Sequence, residues 1–355
     1  MIQQLDSRIS AALGQGLVIP AHPLALTAAR RLDERCQRAL SRYYVAAGAG
    51  GLAVGVHTTQ FAIRDPRIGL YRPVLELAAE EMDRADVSRA VPLVRIGGIC
   101  GGTPQAIREA QVLADLGYHA GLLALTESTF ADDAARIRHC RTIAEVIPII
   151  GFYMQQSVGG SLLSSRFWHE FVEIENVAAI KIAPFDRYQT LDVMRAVCTS
   201  KRAIPVYTGN DDNIVMDLLT PYAFSVDGEM REIRMKGGLL GHWAVWTRKA
   251  VDLLDDCKTA ADGPGSVPRV LLQRNVEVTD ANAAFFDAAN HFAGCIAGLN
   301  EVLRRQGLLD GIWCLDPDET LSPGQKAEID RVYAAYPHLN DDAFVRAGRD
   351  EWLTP

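Results

Sequence analysis

The chain has 355 residues, 48% of them hydrophobic and 23% charged, with a formal net charge of −8 and 7% aromatics. That is globular composition, long enough for one large domain or two modest ones, and an acidic balance without a basic stripe excludes nucleic acid as the main partner. Seven cysteines (36, 100, 140, 198, 257, 295 and 314) are scattered without a CxxC pair, which argues for a reduced chain and against a disulfide framework or a zinc knuckle.

The first residues, "MIQQLDSRISAALGQGLVIPAHP", lack the basic segment and apolar core of a secretory signal. No stretch reaches the roughly 18 uncharged apolar residues of a membrane helix. The expectation is a soluble, cytoplasmic protein that engages no membrane.

In chain order, short apolar, β-branched runs alternate with longer amphipathic segments. The strand-like runs are "GLVIP" (16–20), "GLAVGV" (51–56), "VPLVRI" (91–96), "AGLLAL" (120–125), "VIPIIGFY" (146–153), "VAAIKIA" (177–183), "AIPVYTG" (203–209) and "YAFSV" (222–226). Between them lie helical patterns such as "TPQAIREAQVLADLGY" (103–118), where Ile107, Ala110, Val112, Leu113 and Leu116 share one face. Thr103 followed by Pro104 reads as an N-cap with proline at the first helical position.

Eight apolar strands, each followed by a helix, are what a parallel sheet covered on both faces requires. A doubly wound open sheet satisfies the same periodicity, but the placement of polar residues favours an α/β (β/α)8 TIM barrel over residues 1–258. After the Gly/Pro-bearing "TAADGPGSVPRV" (259–270) the strands stop. Residues 270–355 are therefore expected to form a helical C-terminal extension packed on the barrel.

A barrel's active site lies at the C-terminal ends of its strands. Those positions are His22 after the first run, His57, Thr58, Thr59 and Gln60 after the second, and Glu127 after the fourth. The fifth run ends in Tyr153, Gln155, Gln156 and Ser157, and the sixth holds Lys181. Gly209, Asn210, Asp211 and Asp212 follow the seventh, and Ser225 lies in the eighth.

Lys181 stands alone in an apolar run, "NVAAIKIAPFD" (176–186). Such a lysine either escapes to solvent at the strand end or works with a pKa pulled down by desolvation, as a neutral amine able to form a Schiff base with a carbonyl. A nearby phenol would shuttle the protons of carbinolamine collapse, and two threonines would donate to one carboxylate. Together these groups describe a 2-oxo acid whose ketone condenses with Lys181.

Over roughly residues 15 to 230, about two-thirds of the chain, the sequence resembles the dihydrodipicolinate synthase and N-acetylneuraminate lyase family of class I, pyruvate-dependent lyases. "AGAGGLAVGVHTTQF" (47–61) looks like that family's Gly-Thr-Thr-Gly-Glu turn, with Thr58 and Thr59 as the carboxylate-binding pair. "IIGFYMQQSVGG" (149–160) looks like its catalytic tyrosine strand, with Tyr153 in that role. "VAAIKIA" matches the Schiff-base strand, with Lys181 28 residues after Tyr153. "VYTGNDD" (206–212) is similar to its Ser-Gly-Asp-Asp turn, putting Gly209 beside the bound pyruvoyl group.

The departures lie at the acceptor end. His57, Gln60 and Phe61 replace the small and acidic residues flanking the threonine pair. Ser128 and Thr129 stand where the synthase has a second tyrosine, and Val158 stands where it has a carboxylate-binding arginine. The resemblance thus implies a Schiff-base lyase on pyruvate or a related 2-oxo acid that is not the lysine-biosynthetic synthase. It implies no metal and no organic cofactor, and a homo-oligomer, dimer or tetramer.

Lys181 is the expected nucleophile and Tyr153 the proton shuttle, with Thr58, Thr59, Gly209, His57, Gln155 and Ser225 at the substrate. A dehydratase of a 3-deoxy-2-oxo sugar acid and a non-catalytic 2-oxo acid binder remain open. The remaining polar or glycine-rich pieces carry simpler readings. Asp211 and Asp212 read as a helix cap, "GGICGG" (97–102) as a tight turn, "KGGLLGHW" (236–243) as close helix packing, and Trp243 with Trp246 as core or subunit interface.

Overall fold

The computed structural model describes residues 3–126 and 130–354. Its central feature is an eight-stranded parallel sheet in the order β1, β10, β7, β6, β5, β4, β3, β2. The strands are β1 (Val18–Pro20), β2 (Gly51–Val54), β3 (Val94–Ile99), β4 (Ala120–Ala124), β5 (Ile149–Met154), β6 (Val177–Ala183), β7 (Val206–Thr208) and β10 (Gly237–Leu240). Hydrogen bonds from Gly50 N–H to Val18 O (3.0 Å) and from His22 N–H to Ala53 O (2.8 Å) bring β1 against β2, so the sheet closes into the expected (β/α)8 barrel.

One expected strand is misplaced. "YAFSV" forms β8 (Tyr222–Val226), which pairs antiparallel with β9 (Glu229–Ile233) in a hairpin outside the barrel. The eighth barrel strand is instead the glycine-rich "GGLL" of "KGGLLGHW", which pairs with β1 and β7. Glycines are depleted in strands, so the run carried no strand signal. The space explains them: a Cβ on Gly238 would lie 2.6 Å from the Trp243 ring.

The helices around the barrel are α1 (Ser7–Gln15), α2 (Glu34–Ala47), α3 (Tyr71–Asp86), α4 (Thr103–Asp115), α5 (Asp133–Ala144), α6 (Ser165–Phe171), α7 (Arg187–Thr199), α8 (Ile214–Leu219) and α9 (Thr247–Asp262). Several start on a side chain that accepts a first-turn N–H, namely Asp6, Asp33, Asp132, Ser164 and Asp186, each cap worth about 1 kcal/mol. In α4 the cap is Gly102 rather than Thr103, so Pro104 stands at the second helical position rather than the first. No helix among the described residues is long and apolar enough to cross a membrane.

Two apolar layers result. Ile150, Phe152, Met154, Ala179 and Ala183 fill the barrel interior, while Ile149, Tyr153, Ile180 and Ile182 face the surrounding helices, the period-two alternation of a strand buried on both sides. Helix α1 seals the N-terminal end. Its Ile9, Ala12 and Leu13 join the interior layer, and Leu13 O accepts the Tyr207 hydroxyl (2.8 Å).

Beyond α9 come α10 (Arg269–Phe285), α11 (Cys295–Arg305), α12 (Gln325–Ala335) and α13 (Asp342–Trp352), with no strand among the described residues there. Asp341, just before α13, anchors them to the barrel's helical shell. It accepts from the Tyr43 hydroxyl (2.7 Å), Arg248 N–H (3.0 Å) and Gln306 Nε2 (2.8 Å). All the groups involved are wholly or partly buried, so each bond contributes on the order of 1 kcal/mol.

Candidate active site

Lys181 lies in the middle of β6 between Ala179 and Ala183 and shares their inward face. It is 7% exposed, and its Nζ sits 4.3 Å from the centroid of the Phe152 ring, a cation–π contact. Burial lowers its pKa to about 8, opposed by the carboxylate of Asp211. The side chain therefore stays inside the barrel.

The β7 turn makes room for it. A Cβ on Gly209 would lie 2.5 Å from Lys181 Cε and 2.8 Å from Ala183 Cβ, so only glycine lets the turn pass the lysine. Two residues on, Asp211 is buried, with its Oδ1 accepting the His242 N–H (2.9 Å). Burial raises its carboxyl to about 7, against the pull of that hydrogen bond and of Lys181.

Asp211 is thus no helix cap. The residue preceding α8 is Asn213, whose side chain makes no capping bond. Nor does Asn210 face the cavity: its amide nitrogen donates to the fully buried Asp217 (2.8 Å) and its oxygen accepts the Phe185 N–H (3.0 Å). Asp217 also takes the Thr208 hydroxyl (2.7 Å) and the Arg187 guanidinium. This network holds the ends of β6 and β7 together.

The turn after β2 is a single 3-10 turn, His57–Thr59. Thr58 lines the cavity, its hydroxyl donating to Ala21 O (2.8 Å). Thr59 does not: its hydroxyl donates to His22 O (2.7 Å) and accepts from Gly55 N–H (3.0 Å) and Val56 N–H (3.2 Å), which fixes the turn. Burial and the Lys181 charge hold His57 at about 4, so its imidazole is neutral at physiological pH. His22 is a core histidine, its Nδ1 2.8 Å from Pro23 O and its Nε2 2.9 Å from the Ser41 hydroxyl.

Tyr153 does not reach Lys181. It points outward, stacks near Trp168 (ring centroids 5.3 Å) and bonds only the backbone of Leu163, whose carbonyl accepts its hydroxyl (3.2 Å). The cause is a register shift between β5 and β6. Ile149 pairs with Val177 but Ile150 with Ala179, so beyond Ala178 the pairing offset grows by one residue and Phe152, not Tyr153, stands opposite Lys181. A single extra residue in a strand reverses which face every later side chain takes.

Ser225 is likewise misassigned: it lies exposed on the β8–β9 hairpin, outside the barrel. Gln155 lines the cavity, whereas Gln156 and Ser157 are exposed. Glu127, Ser128 and Thr129 lie outside the described residues.

The cavity so formed is about 60 Å³ and is lined at the strand ends by Lys181, Asp211, His57, Thr58 and Gln155. Phe185 flanks it beyond β6, and the chain after α10 roofs it with Phe286, Phe292 and Cys295. Asp211, Phe152 and this roof are the parts that sequence reasoning missed. No metal cluster faces Lys181 among the described residues; the one group of potential ligands, Asp33, Cys36 and Asp310, lies elsewhere.

No protein-family model matches the sequence, and no curated protein does. Solved structures do share the fold. N-acetylneuraminate lyase from Fusobacterium nucleatum complexed with pyruvate superposes with a TM-score of 0.70 at 15% identity, covering 92% of this chain and 98% of that one. Dihydrodipicolinate synthase from Oceanobacillus iheyensis gives 0.70 at 16%, covering 93% and 99%. Chloride-inhibited dihydrodipicolinate synthase from Acinetobacter baumannii complexed with pyruvate gives 0.70 at 17%, covering 90% and 98%. The chain has the fold of these lyases over about nine-tenths of its length.

Proposed function

We propose that the protein is a divergent class I lyase of the N-acetylneuraminate lyase and dihydrodipicolinate synthase family, with Lys181 forming a Schiff base to pyruvate or a related 2-oxo acid. The observation that carries this reading is the lysine itself, buried at the centre of the barrel with burial drawing its pKa down to about 8. A desolvated amine of that kind is a nucleophile near neutral pH.

Its neighbours support the chemistry. The amine attacks the ketone carbon, and the resulting carbinolamine oxygen must leave as water, which needs a proton. Asp211, with its raised pKa, is the buried carboxyl able to supply that proton and then to remove one from the methyl carbon beside the iminium. In this chain the proton shuttle is thus a carboxyl rather than a phenol. The substrate carboxylate is assigned to the 57–59 turn, against the neutral His57 ring and Thr58.

On this reading residues 1–258 form the catalytic barrel and 270–355 an extension, acting in a cytoplasmic homo-oligomer without metal or organic cofactor. Borohydride reduction in the presence of pyruvate, followed by peptide mapping, tests it. A reduced adduct on Lys181, absent from Lys181→Met, is expected. An adduct only with longer 2-oxo acids would favour a dehydratase, and no adduct with any 2-oxo acid on the folded protein would overturn the proposal.

A further inference from the structure

From the roof of the cavity we infer that the second reactant is an apolar aldehyde, aromatic by preference, which the Lys181 enamine of pyruvate attacks to give a 4-hydroxy-2-oxo acid bearing an aryl or bulky alkyl group at C4. This inference rests on the Schiff-base reading above and concerns the half of the cavity that reading leaves unassigned.

The roof is built from rings. Phe185 and Phe292 meet edge to face with centroids 5.9 Å apart and planes at 79°, the geometry that aromatic quadrupoles favour. Both residues adopt left-handed backbone conformations, φ 55° and 67°, which bulky side chains rarely take and which persist only where the surroundings enforce them. Asn210 enforces the first by accepting the Phe185 N–H. Asp287 enforces the second, its backbone carbonyl accepting the Phe292 N–H (3.0 Å) and its side chain the Gly294 N–H (2.9 Å).

Phe286 completes the wall. It packs on bare backbone, since a Cβ on Gly241 would come within 2.7 Å of its ring. Cys295 adds a thiol that burial keeps neutral. The ring edges and faces on the cavity side offer an aromatic guest the contacts they already make with one another.

The polar inventory of the described lining residues weighs against the alternatives. Among the described lining residues Lys181 is the only lysine or arginine and Asp211 the only acid; residues 127–129, outside the description, are Glu, Ser and Thr and add no cation. An aldehyde carrying a second carboxylate or a phosphate would find no partner. The uncharged polar side chains among them, besides the Cys295 thiol, are His57, Thr58 and Gln155. With the first two assigned to the substrate carboxylate, this part of the cavity offers a polyhydroxylated aldehyde few partners for its hydroxyls.

The step balances without a further reagent. The enamine carbon bonds to the aldehyde carbon, the aldehyde oxygen takes up a proton, and water hydrolyses the iminium to release the product and the free Lys181 amine.

The test uses the full chain. Borohydride trapping with pyruvate is run first, then product formation from pyruvate with benzaldehyde, glyceraldehyde and glyoxylate. The expected result is a Lys181 adduct and a kcat/KM for benzaldehyde at least about tenfold above either polar aldehyde. In Phe292→Ala, shown folded by its melting transition, that ratio should fall about tenfold. An adduct with preference for a polar aldehyde, an adduct with no aldehyde accepted, or an unchanged ratio in the folded variant would each overturn this inference alone. Absence of the adduct would overturn the Schiff-base reading and this inference with it.

Discussion

Phe152 and Lys181 stand directly opposite each other on neighbouring parallel strands, with the ammonium nitrogen 4.3 Å from the ring centroid. The ring stabilises the charged form by its negative face while helping to exclude the water that would stabilise it further. Asp211 adds a second attraction, yet burial prevails and the pKa falls.

The first consequence is a pH profile. The rate of pyruvate trapping should rise with a midpoint near pH 8, as the lysine loses its proton, and then decline at higher pH, where Asp211 no longer holds the proton it supplies. In Asp211→Asn the negative charge that helps retain that proton is gone, so the midpoint should move to lower pH by about one unit. Trapping rates measured from pH 5 to 10 check both; an unmoved midpoint would mean that Asp211 and Lys181 do not interact.

Lys181 also bears on stability. Its folded pKa lies below the ordinary 10.5, so between about pH 8 and 10.5 the unfolded chain binds more protons than the folded one, and stability rises with pH across that window. Below pH 8 the buried ammonium subtracts stability in full. Lys181→Met should therefore stabilise the protein by about 1–3 kcal/mol at pH 6, with the gain shrinking by pH 10. Urea unfolding at the two pH values measures the difference, and a destabilised variant at pH 6 would contradict the account.

Gly209→Ala places a methyl group 2.5 Å from Lys181 Cε. Either the lysine or the β7 turn must give way. A loss of about 1–3 kcal/mol in stability should accompany a fall of at least tenfold in trapping rate, since a 1 Å displacement of a reacting group costs up to about a hundredfold. Trapping at the wild-type rate would show that the turn yields without disturbing the amine.

Tyr153→Phe separates the strand register from the spacing in sequence. The hydroxyl bonds only the Leu163 backbone, so its removal should cost about 1 kcal/mol and leave trapping within about threefold, a barrier change under 1 kcal/mol. A loss of several orders of magnitude would mean that Tyr153 reaches the site after all.

Most of the barrel was legible because buried parallel strands are apolar throughout, and the lysine was legible because it broke such a run. The failures have local causes. "GGLL" is a strand that close packing against Trp243 confines to glycine, so its sequence reads as close helix packing rather than as a strand, while "YAFSV" alternates burial as a surface hairpin does. The extra residue near Ala178 is invisible in spacing alone, because an offset of 28 holds at Ile149 and fails from Ile150 onward. Asp211 looked like a cap because adjacent acids before a helix usually are caps; only the fold reveals that its partner is the His242 N–H, 31 residues away.

The cavity draws its two ends from separate stretches of the chain: the amine comes from β6, and two of its three roof rings come from the segment following α10. More than a hundred residues separate Lys181 from Phe286 and Phe292. Inheritance can therefore act on them independently. On the proposed reading, exchanging residues 286–295 between descendants of such a barrel would redirect what it accepts while the strand carrying Lys181 passes on unaltered, leaving reactivity and selectivity as two separately editable traits.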